Sequence, residues 1–307
     1  MENNSKSKES SNALPFAILF SGIIIAGAVL FKNWNGESKI LVSKDNQIKE
    51  TVQQISLLEK AVAPEAGVVL PVIWGDLGAK LISVGALDDK KFKAMYEQRG
   101  AFTDEYENLL FGQNNDKLKI TPENAGYLLN LFWALGFANN NSILDSGEMM
   151  DPRYGGAKNF ASTGGWTMTQ GNQMDHYSQH RFFKLTEEQQ VSVDKISKGI
   201  YRPCCGNSTH FPDCNHGMAM LGFLELMASQ GVDEQDMWKA ALTVNSYWFP
   251  DTYLTIATYM KNKGIEWKDV NPQEILGKNY SSAQGYAKIN SELIEPQQKD
   301  NGGGCGV

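Results

Sequence analysis

The sequence predicts a mainly α-helical protein with a single membrane-spanning helix near its N-terminus, followed by a multi-helix globular domain. Three observations support this fold class: residues 13–31 carry no charge, helix-capping residues precede most later apolar segments, and no sustained stretch alternates apolar and polar residues. The chain has 307 residues, 42% of them hydrophobic and 21% charged, which is enough to bury a substantial core.

The N-terminal part consists of a polar tail, residues 1–12, and the uncharged segment 13–31. A helix of about 20 apolar residues crosses a bilayer, so this segment has the length of a transmembrane anchor. The alternative is a cleaved signal peptide, because residues 26–28 read Ala-Gly-Ala and fit a cleavage site. The apolar run continues through residues 29–31, however, and this favours an uncleaved signal anchor.

The membrane orientation follows from two opposing signals. Two lysines precede the anchor and four follow it closely, and the positive-inside rule would then keep the C-terminal part in the cytoplasm. A short N-terminal tail followed at once by an apolar run is nevertheless the usual arrangement of a signal anchor. We therefore expect an extracytoplasmic globular domain on a single-pass membrane protein.

Residues 32–67 are expected to form a linker and a stalk helix. Ile48, Val52, Ile55 and Val62 recur at helical spacing, and the helix should end before Pro64. An apolar face of two heptads is short for a coiled coil, but it offers a surface through which two copies of the chain could pair. The sequence thus adds a homodimer through the stalk to the expected partners.

The globular domain is expected at residues 68–295, because helix signals dominate there. Thr121 and Pro122 are expected to open one helix, Thr186 and Gln189 form a capping box, and Asp233 is placed to cap another. The segments with helical signals are 121–137, 186–200, 216–229, 233–244, 250–264 and 271–277.

Two segments lack helical periodicity. Residues 139–183 are rich in Gly, Asn and Asp, and a loop of that length inside a compact domain is often functional. Residues 296–307 form a Gly-rich tail with Cys305 near its end, which predicts a flexible arm carrying a thiol.

Charge and spacing narrow the classes of function. The net charge is −7 and the chain has no basic stripe interleaved with aromatics, so nucleic acid is not an expected partner. By contrast, all four histidines and three of the four cysteines lie between residues 176 and 216. These candidate metal ligands are His176, His180, Cys204, Cys205, His210, Cys214 and His216.

Soft thiolates combined with imidazoles suit a transition metal, with copper favoured and zinc or iron as alternatives. His176 and His180 are four residues apart, so one turn of helix would place them on the same face. Cys214 precedes a predicted helix, whose N-terminus would stabilise a thiolate. The adjacent pair Cys204 and Cys205 does not match the spacing of a zinc finger, and it could instead form a reducible vicinal disulfide.

The sequence therefore predicts a membrane-anchored protein that binds a transition metal and acts in metal handling or redox chemistry with a metal-delivery or redox partner. A second interpretation is a metal-free thiol–disulfide protein that uses Cys204, Cys205 and the mobile Cys305. A third is a domain stabilised by structural disulfides. The pattern assigns no catalytic residue and leaves open whether the protein is an enzyme.

Overall fold

The computed structural model of the protein describes residues 37–294. The predicted anchor at residues 13–31 and the predicted tail with Cys305 lie outside this range, so both remain predictions. Among the helices that are described, none combines the length and the apolar character needed to span a bilayer. The chain divides into two units between Leu57 and Leu58.

Residues 37–294 are mainly helical, as expected, and they also contain a small antiparallel sheet of two strands. The strands are β1, Val68–Gly75, and β2, Asn115–Ile120. The thirteen α-helices of this range are α1 Glu37–Val62, α2 Leu77–Ser83, α3 Asp89–Glu97, α4 Asp104–Phe111, α5 Ala125–Ala138, α6 Ser142–Ser146, α7 Glu187–Gly199, α8 Asn215–Ser229, α9 Glu234–Trp248, α10 Pro250–Asn262, α11 Pro272–Leu276, α12 Lys278–Ser281 and α13 Ala283–Ile294.

Most helix starts lie where local side chains satisfy the free backbone N–H groups. The capping box of α7 is present, with Thr186 and Gln189 bonding to each other's backbone, and Asp233 caps α9. Thr121 behaves differently from the expectation. Its backbone N–H donates to the Asn124 side chain at 2.8 Å, which closes a turn, and Asn124 takes the N-cap position of α5.

The two strands form because Leu70, Val72 and Trp74 alternate into the core. The exposed positions between them include Val69 and Ile73, so burial alternates along β1 while hydrophobicity does not. On the free edge of β1, the side-chain amide of Gln230 takes the place of a neighbouring strand. It accepts from the Ile73 N–H at 2.8 Å and donates to the Ile73 carbonyl at 2.7 Å.

Helices α5 and α8 form the centre of the core and approach each other closely. A Cβ atom at Gly136 would lie 2.2 Å from the Met218 carbonyl oxygen, and one at Gly222 would lie 2.5 Å from the Phe132 carbonyl oxygen. Both positions therefore require glycine for the two backbones to meet. This contact fixes α8, whose first turn follows directly after Cys214.

The segment 139–183, expected to be a long irregular loop, contains α6 and four short 3₁₀ helices. It is anchored by indole hydrogen bonds. Trp166 Nε1 donates to the Ala86 carbonyl at 3.2 Å, and Trp133 Nε1 donates to the Ser162 carbonyl at 2.7 Å. Trp166 and Ser162 are buried, so this segment packs as part of the domain.

Candidate metal centre

The connection between α7 and α8 carries all three cysteines of the described residues. Tyr201 and Ser208 pair as an isolated antiparallel bridge and close a small loop, which holds Cys204 and Cys205. The Tyr201 N–H donates to the Leu276 carbonyl at 2.8 Å. The Cys205 carbonyl accepts from the Ala283 N–H at 3.0 Å, so the loop is tied to the start of α13.

The chain then returns and places Cys214 beside this loop, at the N-cap of α8. The sulfur atoms of Cys204 and Cys214 are 3.6 Å apart, and all three cysteines are free thiols. The ligand atoms of Cys204, Cys214 and His216 lie within 4.8 Å of one another. A second group, Cys205, Asp213 and Cys214, meets the same limit, so Cys214 belongs to both.

These residues could hold a metal ion, and their spacing suits one. Metal–sulfur bonds of about 2.3 Å at a tetrahedral angle place two sulfurs roughly 3.8 Å apart, close to the separation of Cys204 and Cys214. Cys204 is exposed, while Cys205, Cys214 and His216 are partly buried. The site is therefore open to solvent on the Cys204 side. The His216 ring lies against Phe249, with 4.4 Å between the ring centroids.

Arg202 organises the loop from within, and the sequence patterns did not single it out. Its side chain is buried, and its Nε donates to the Cys214 sulfur at 3.0 Å. Its Nη2 donates to the Phe211 carbonyl at 3.0 Å and to the Asp213 carboxylate, while Nη1 donates to the Asn207 carbonyl at 3.3 Å. One guanidinium thus joins both halves of the loop and supplies a positive charge beside the sulfur.

Gly217, in the first turn of α8, makes room for this guanidinium. A Cβ atom at Gly217 would lie 2.5 Å from Arg202 Cζ and 2.6 Å from its Nη2. Any larger residue would push the guanidinium away from Cys214. In the sequence, the available signals were an arginine two residues before the Cys pair and a glycine three residues after Cys214, and neither follows a spacing rule.

The thiols of the cluster differ in pKa. Hydrogen bonds from Cys204 and Cys205, together with His216 and the Arg202 charge, hold the pKa of Cys214 far below the ordinary thiol value. The pKa of Cys204 is raised, chiefly because its thiol bonds to Cys205 and Cys214. The lowered pKa favours Cys214 over Cys204 as the thiolate of the cluster, and a thiolate is the form that binds metal.

His210 does not join this cluster. Its Nε2 lies 2.8 Å from an Asp194 carboxylate oxygen, and its Nδ1 lies 3.3 Å from a Glu148 carboxylate oxygen. Both ring nitrogens are therefore engaged by carboxylates. Among the described residues, His210 belongs to neither ligand group that contains Cys214.

His176 and His180 come together with each other but likewise stand outside both ligand groups. They lie in a turn after a short 3₁₀ helix, Gln173–Asp175, rather than on the helix that their spacing predicted. His176 Nδ1 and His180 Nε2 are 3.0 Å apart. Burial, and then the nearby His176, lower the pKa of His180.

Of the seven predicted ligands, the structure brings Cys204, Cys214 and His216 together in one group and Cys205 with Cys214 in a second group, so the two groups share Cys214. Comparison with family models, with curated proteins and with solved structures finds no match to this chain. The function must therefore be argued from the chemistry of this centre.

Proposed function

We propose that the protein binds one soft transition-metal ion, with copper favoured, through Cys204, Cys214 and His216, and that Cys205 completes the set. The proposed role is metal handling at a membrane surface. The observation that carries this proposal is the convergence of two sulfurs 3.6 Å apart with an imidazole in one partly exposed loop.

Copper(I) is favoured by the softness and charge of this centre. Thiolates select Cu(I) among the common biological ions, and the Irving–Williams order places copper highest at mixed N and S sites. Two thiolates around Cu(I) leave one negative charge, which Arg202 can balance from within hydrogen-bonding distance of Cys214. Zinc and iron are the alternative ions at the same ligands.

Exposure of Cys204 supports a role in transfer rather than in permanent storage. A ligand at the protein surface lets a partner's thiol or imidazole reach the ion and replace the protein ligands one at a time. A metal-delivery or redox protein is the partner that this chemistry would serve. By contrast, a closed structural site has its ligands buried.

The membrane location remains part of the proposal. It rests on the uncharged segment 13–31 and on the signal-anchor layout, from which we infer a domain outside the cytoplasm although the lysine count favours the opposite orientation. Pairing of two copies through the stalk is proposed from Val52 of the predicted stalk face, which is 58% exposed although apolar, whereas Val62 of the same face is buried in the core.

The test is a Cu(I) titration of the full-length protein in detergent, in competition with a chromogenic chelator. We expect one tightly bound ion per thiol centre. Cys204→Ser, Cys214→Ser and His216→Ala should each weaken binding by more than the roughly 10–100-fold that loss of a second-shell partner costs. His210→Ala is the matched control and should leave the affinity unchanged, because its ring is held by Asp194 and Glu148.

Absence of tight binding, or the same affinity in Cys204→Ser, Cys214→Ser and the unmodified protein, would rule out the metal centre. The same measurement with Zn²⁺ and Fe²⁺ identifies the preferred ion. If zinc binds at these ligands and Cu(I) does not displace it, the site stands and the choice of copper is wrong.

A second candidate function is thiol–disulfide exchange, favoured by the thiolate at Cys214 and its short distance to Cys204. The Cys214 thiolate would attack a low-molecular-weight disulfide and release one thiolate. The Cys204 thiol would then lose its proton, attack the Cys214 sulfur and release the second thiolate. Two electrons pass from the protein pair to the small disulfide.

Counting free thiols in metal-free protein before and after treatment with oxidised glutathione tests this candidate. A loss of two thiols that Cys204→Ser prevents supports exchange, and protection of those thiols by bound metal would connect the two functions. A mapped Cys204–Cys205 linkage would favour the vicinal disulfide instead.

A further inference from the structure

His176 and His180 form a pair of imidazoles that the thiol centre does not use. The two facing ring nitrogens, Nδ1 of His176 and Nε2 of His180, are 3.0 Å apart, and the ring centroids are 5.2 Å apart. Both side chains are partly exposed, so an ion in solution can reach them. Neither residue belongs to the groups that contain Cys214.

The hydrogen bonding of His176 directs its lone pair towards His180. His176 Nε2 lies 2.9 Å from the Gln170 carbonyl oxygen, which can only accept, so Nε2 carries the proton and Nδ1 does not. Metal-binding histidines commonly donate their other ring N–H to a carbonyl, because this fixes the tautomer and the ring orientation. His176 therefore already has the tautomer and the outer hydrogen bond of a ligand.

The separation of the two nitrogens matches a chelate. With metal–nitrogen bonds of about 2.0–2.1 Å, two nitrogens 3.0 Å apart subtend roughly 94° at the ion. That angle suits the tetragonal and square-planar geometries of Cu²⁺ and Ni²⁺. In the metal-free protein, the same two nitrogens share a hydrogen bond, in which His180 Nε2 donates and His176 Nδ1 accepts.

The backbone between the two histidines is held in an uncommon conformation. Ser178 has φ of 56°, and it is the one non-glycine residue of the described range in the left-handed region. Its N–H donates to the Phe137 carbonyl at 2.9 Å, and its hydroxyl accepts from the Asn141 N–H at 3.1 Å. Strain of this kind persists only where surrounding contacts enforce it, and it often marks a functional site.

Further contacts hold the backbone of His180 and the ring of His176. The backbone N–H of His180 donates to the Ala138 carbonyl at 2.9 Å, at the end of α5. On the other side, a Cβ atom at Gly85 would lie 3.2 Å from His176 Cε1, so the ring packs directly on the Gly85 backbone. The pair is thus preorganised on rigid elements, which reduces the entropy lost when an ion binds.

We propose that His176 and His180 form a second, thiol-free metal site, which takes a divalent ion of the Cu²⁺ or Ni²⁺ class and leaves the remaining coordination positions to water. Two imidazoles and solvent make this a weaker and more rapidly exchanging site than the thiol centre. It also differs in oxidation-state preference, because imidazole suits Cu²⁺ whereas thiolates select Cu(I).

The experiment uses full-length protein in detergent with the first centre removed by Cys204→Ser, Cys214→Ser and His216→Ala together. We expect one Cu²⁺ per chain, with an electron paramagnetic resonance spectrum split by two equivalent nitrogens. Adding His180→Ala should abolish the two-nitrogen signal, whereas adding His210→Ala should preserve it. A two-nitrogen signal that survives His180→Ala, or no bound Cu²⁺ at all, overturns the proposal.

A second measurement does not depend on that multiple variant folding. In otherwise unmodified protein already loaded with Cu(I), addition of Ni²⁺ should fill one further site, and His176→Ala should remove that site without changing the Cu(I) affinity. Loss of Ni²⁺ binding with intact Cu(I) binding supports two independent sites. If His176→Ala leaves Ni²⁺ binding intact, or weakens Cu(I) binding equally, the second site does not exist as proposed.

Discussion

Adding a single methyl group at Gly217 should test whether Arg202 organises the thiol centre. In Gly217→Ala the new Cβ would lie 2.5 Å from Arg202 Cζ, whereas carbon atoms in contact prefer about 3.5–4.0 Å. The guanidinium would have to retreat by about 1 Å. The hydrogen bond from Nε to the Cys214 sulfur, now 3.0 Å, would then be stretched beyond a useful length.

The magnitude follows from two opposing effects. Replacing glycine by alanine in a helix normally stabilises it by up to about 1 kcal/mol. Overpacking a buried site costs about 1–3 kcal/mol, and hydrogen bonds that involve a charged group contribute about 1.5–3 kcal/mol each. The overpacking and the lost hydrogen bond together outweigh the helix gain, so we expect Gly217→Ala to lower the free energy of unfolding by about 1.5–5 kcal/mol, which is opposite in sign to the usual effect.

Urea unfolding of the metal-free protein, followed by far-UV circular dichroism, measures this difference. Gly126→Ala in α5 is the matched control, because nothing lies within 4 Å of the added Cβ, and it should raise the urea midpoint slightly. Gly217→Ala should also weaken Cu(I) binding, since the charge beside Cys214 moves away. If Gly217→Ala stabilises the protein as much as Gly126→Ala does, Arg202 is not held where this reasoning requires.

Two predictions concern protons. Because the pKa of Cys214 is lowered, metal-free protein at pH 7 should show thiolate absorbance in the ultraviolet, where an ordinary thiol is protonated. Cys214→Ser should remove this absorbance, and Cys204→Ser should retain it because a serine hydroxyl still donates. Burial raises the pKa of the Glu225 carboxyl well above its ordinary 4.5. Between pH 4.5 and the raised pKa, unfolding therefore releases a proton. The contribution of Glu225 to the free energy of unfolding is complete below pH 4.5 and falls by up to about 1.4 kcal/mol per pH unit above it. Glu225→Gln should therefore raise the urea midpoint at pH 7 and flatten its pH dependence, and an unchanged pH dependence would show that Glu225 is ionised in the folded state.

The part of the site that the sequence predicts is the part encoded within one short loop. Cys204, Cys205, Cys214 and His216 span thirteen residues, so almost any compact path of this loop brings them close together. Helix starts such as Thr186 were predictable for the same reason, because a capping box is a contact between residues three apart.

The remainder depends on contacts between distant parts of the chain. Glu148 lies 62 residues before His210, and no local sequence pattern predicts that its carboxylate contacts the His210 ring. Arg202 was missed because the countercharge of a thiolate has no spacing rule. Strand β1 was missed because Val69 and Ile73 are exposed apolar residues, which hide the alternation of burial.

The side chain of Gln230 has a consequence for how this protein behaves at high concentration. An exposed strand edge with Val69 and Ile73 beside it is the type of surface on which chains add to one another and aggregate. The Gln230 amide bonds to both backbone groups of Ile73, so another strand could pair with this edge only after these two hydrogen bonds are broken. A residue at the end of α8 thus protects the solubility of a sheet to which it does not belong.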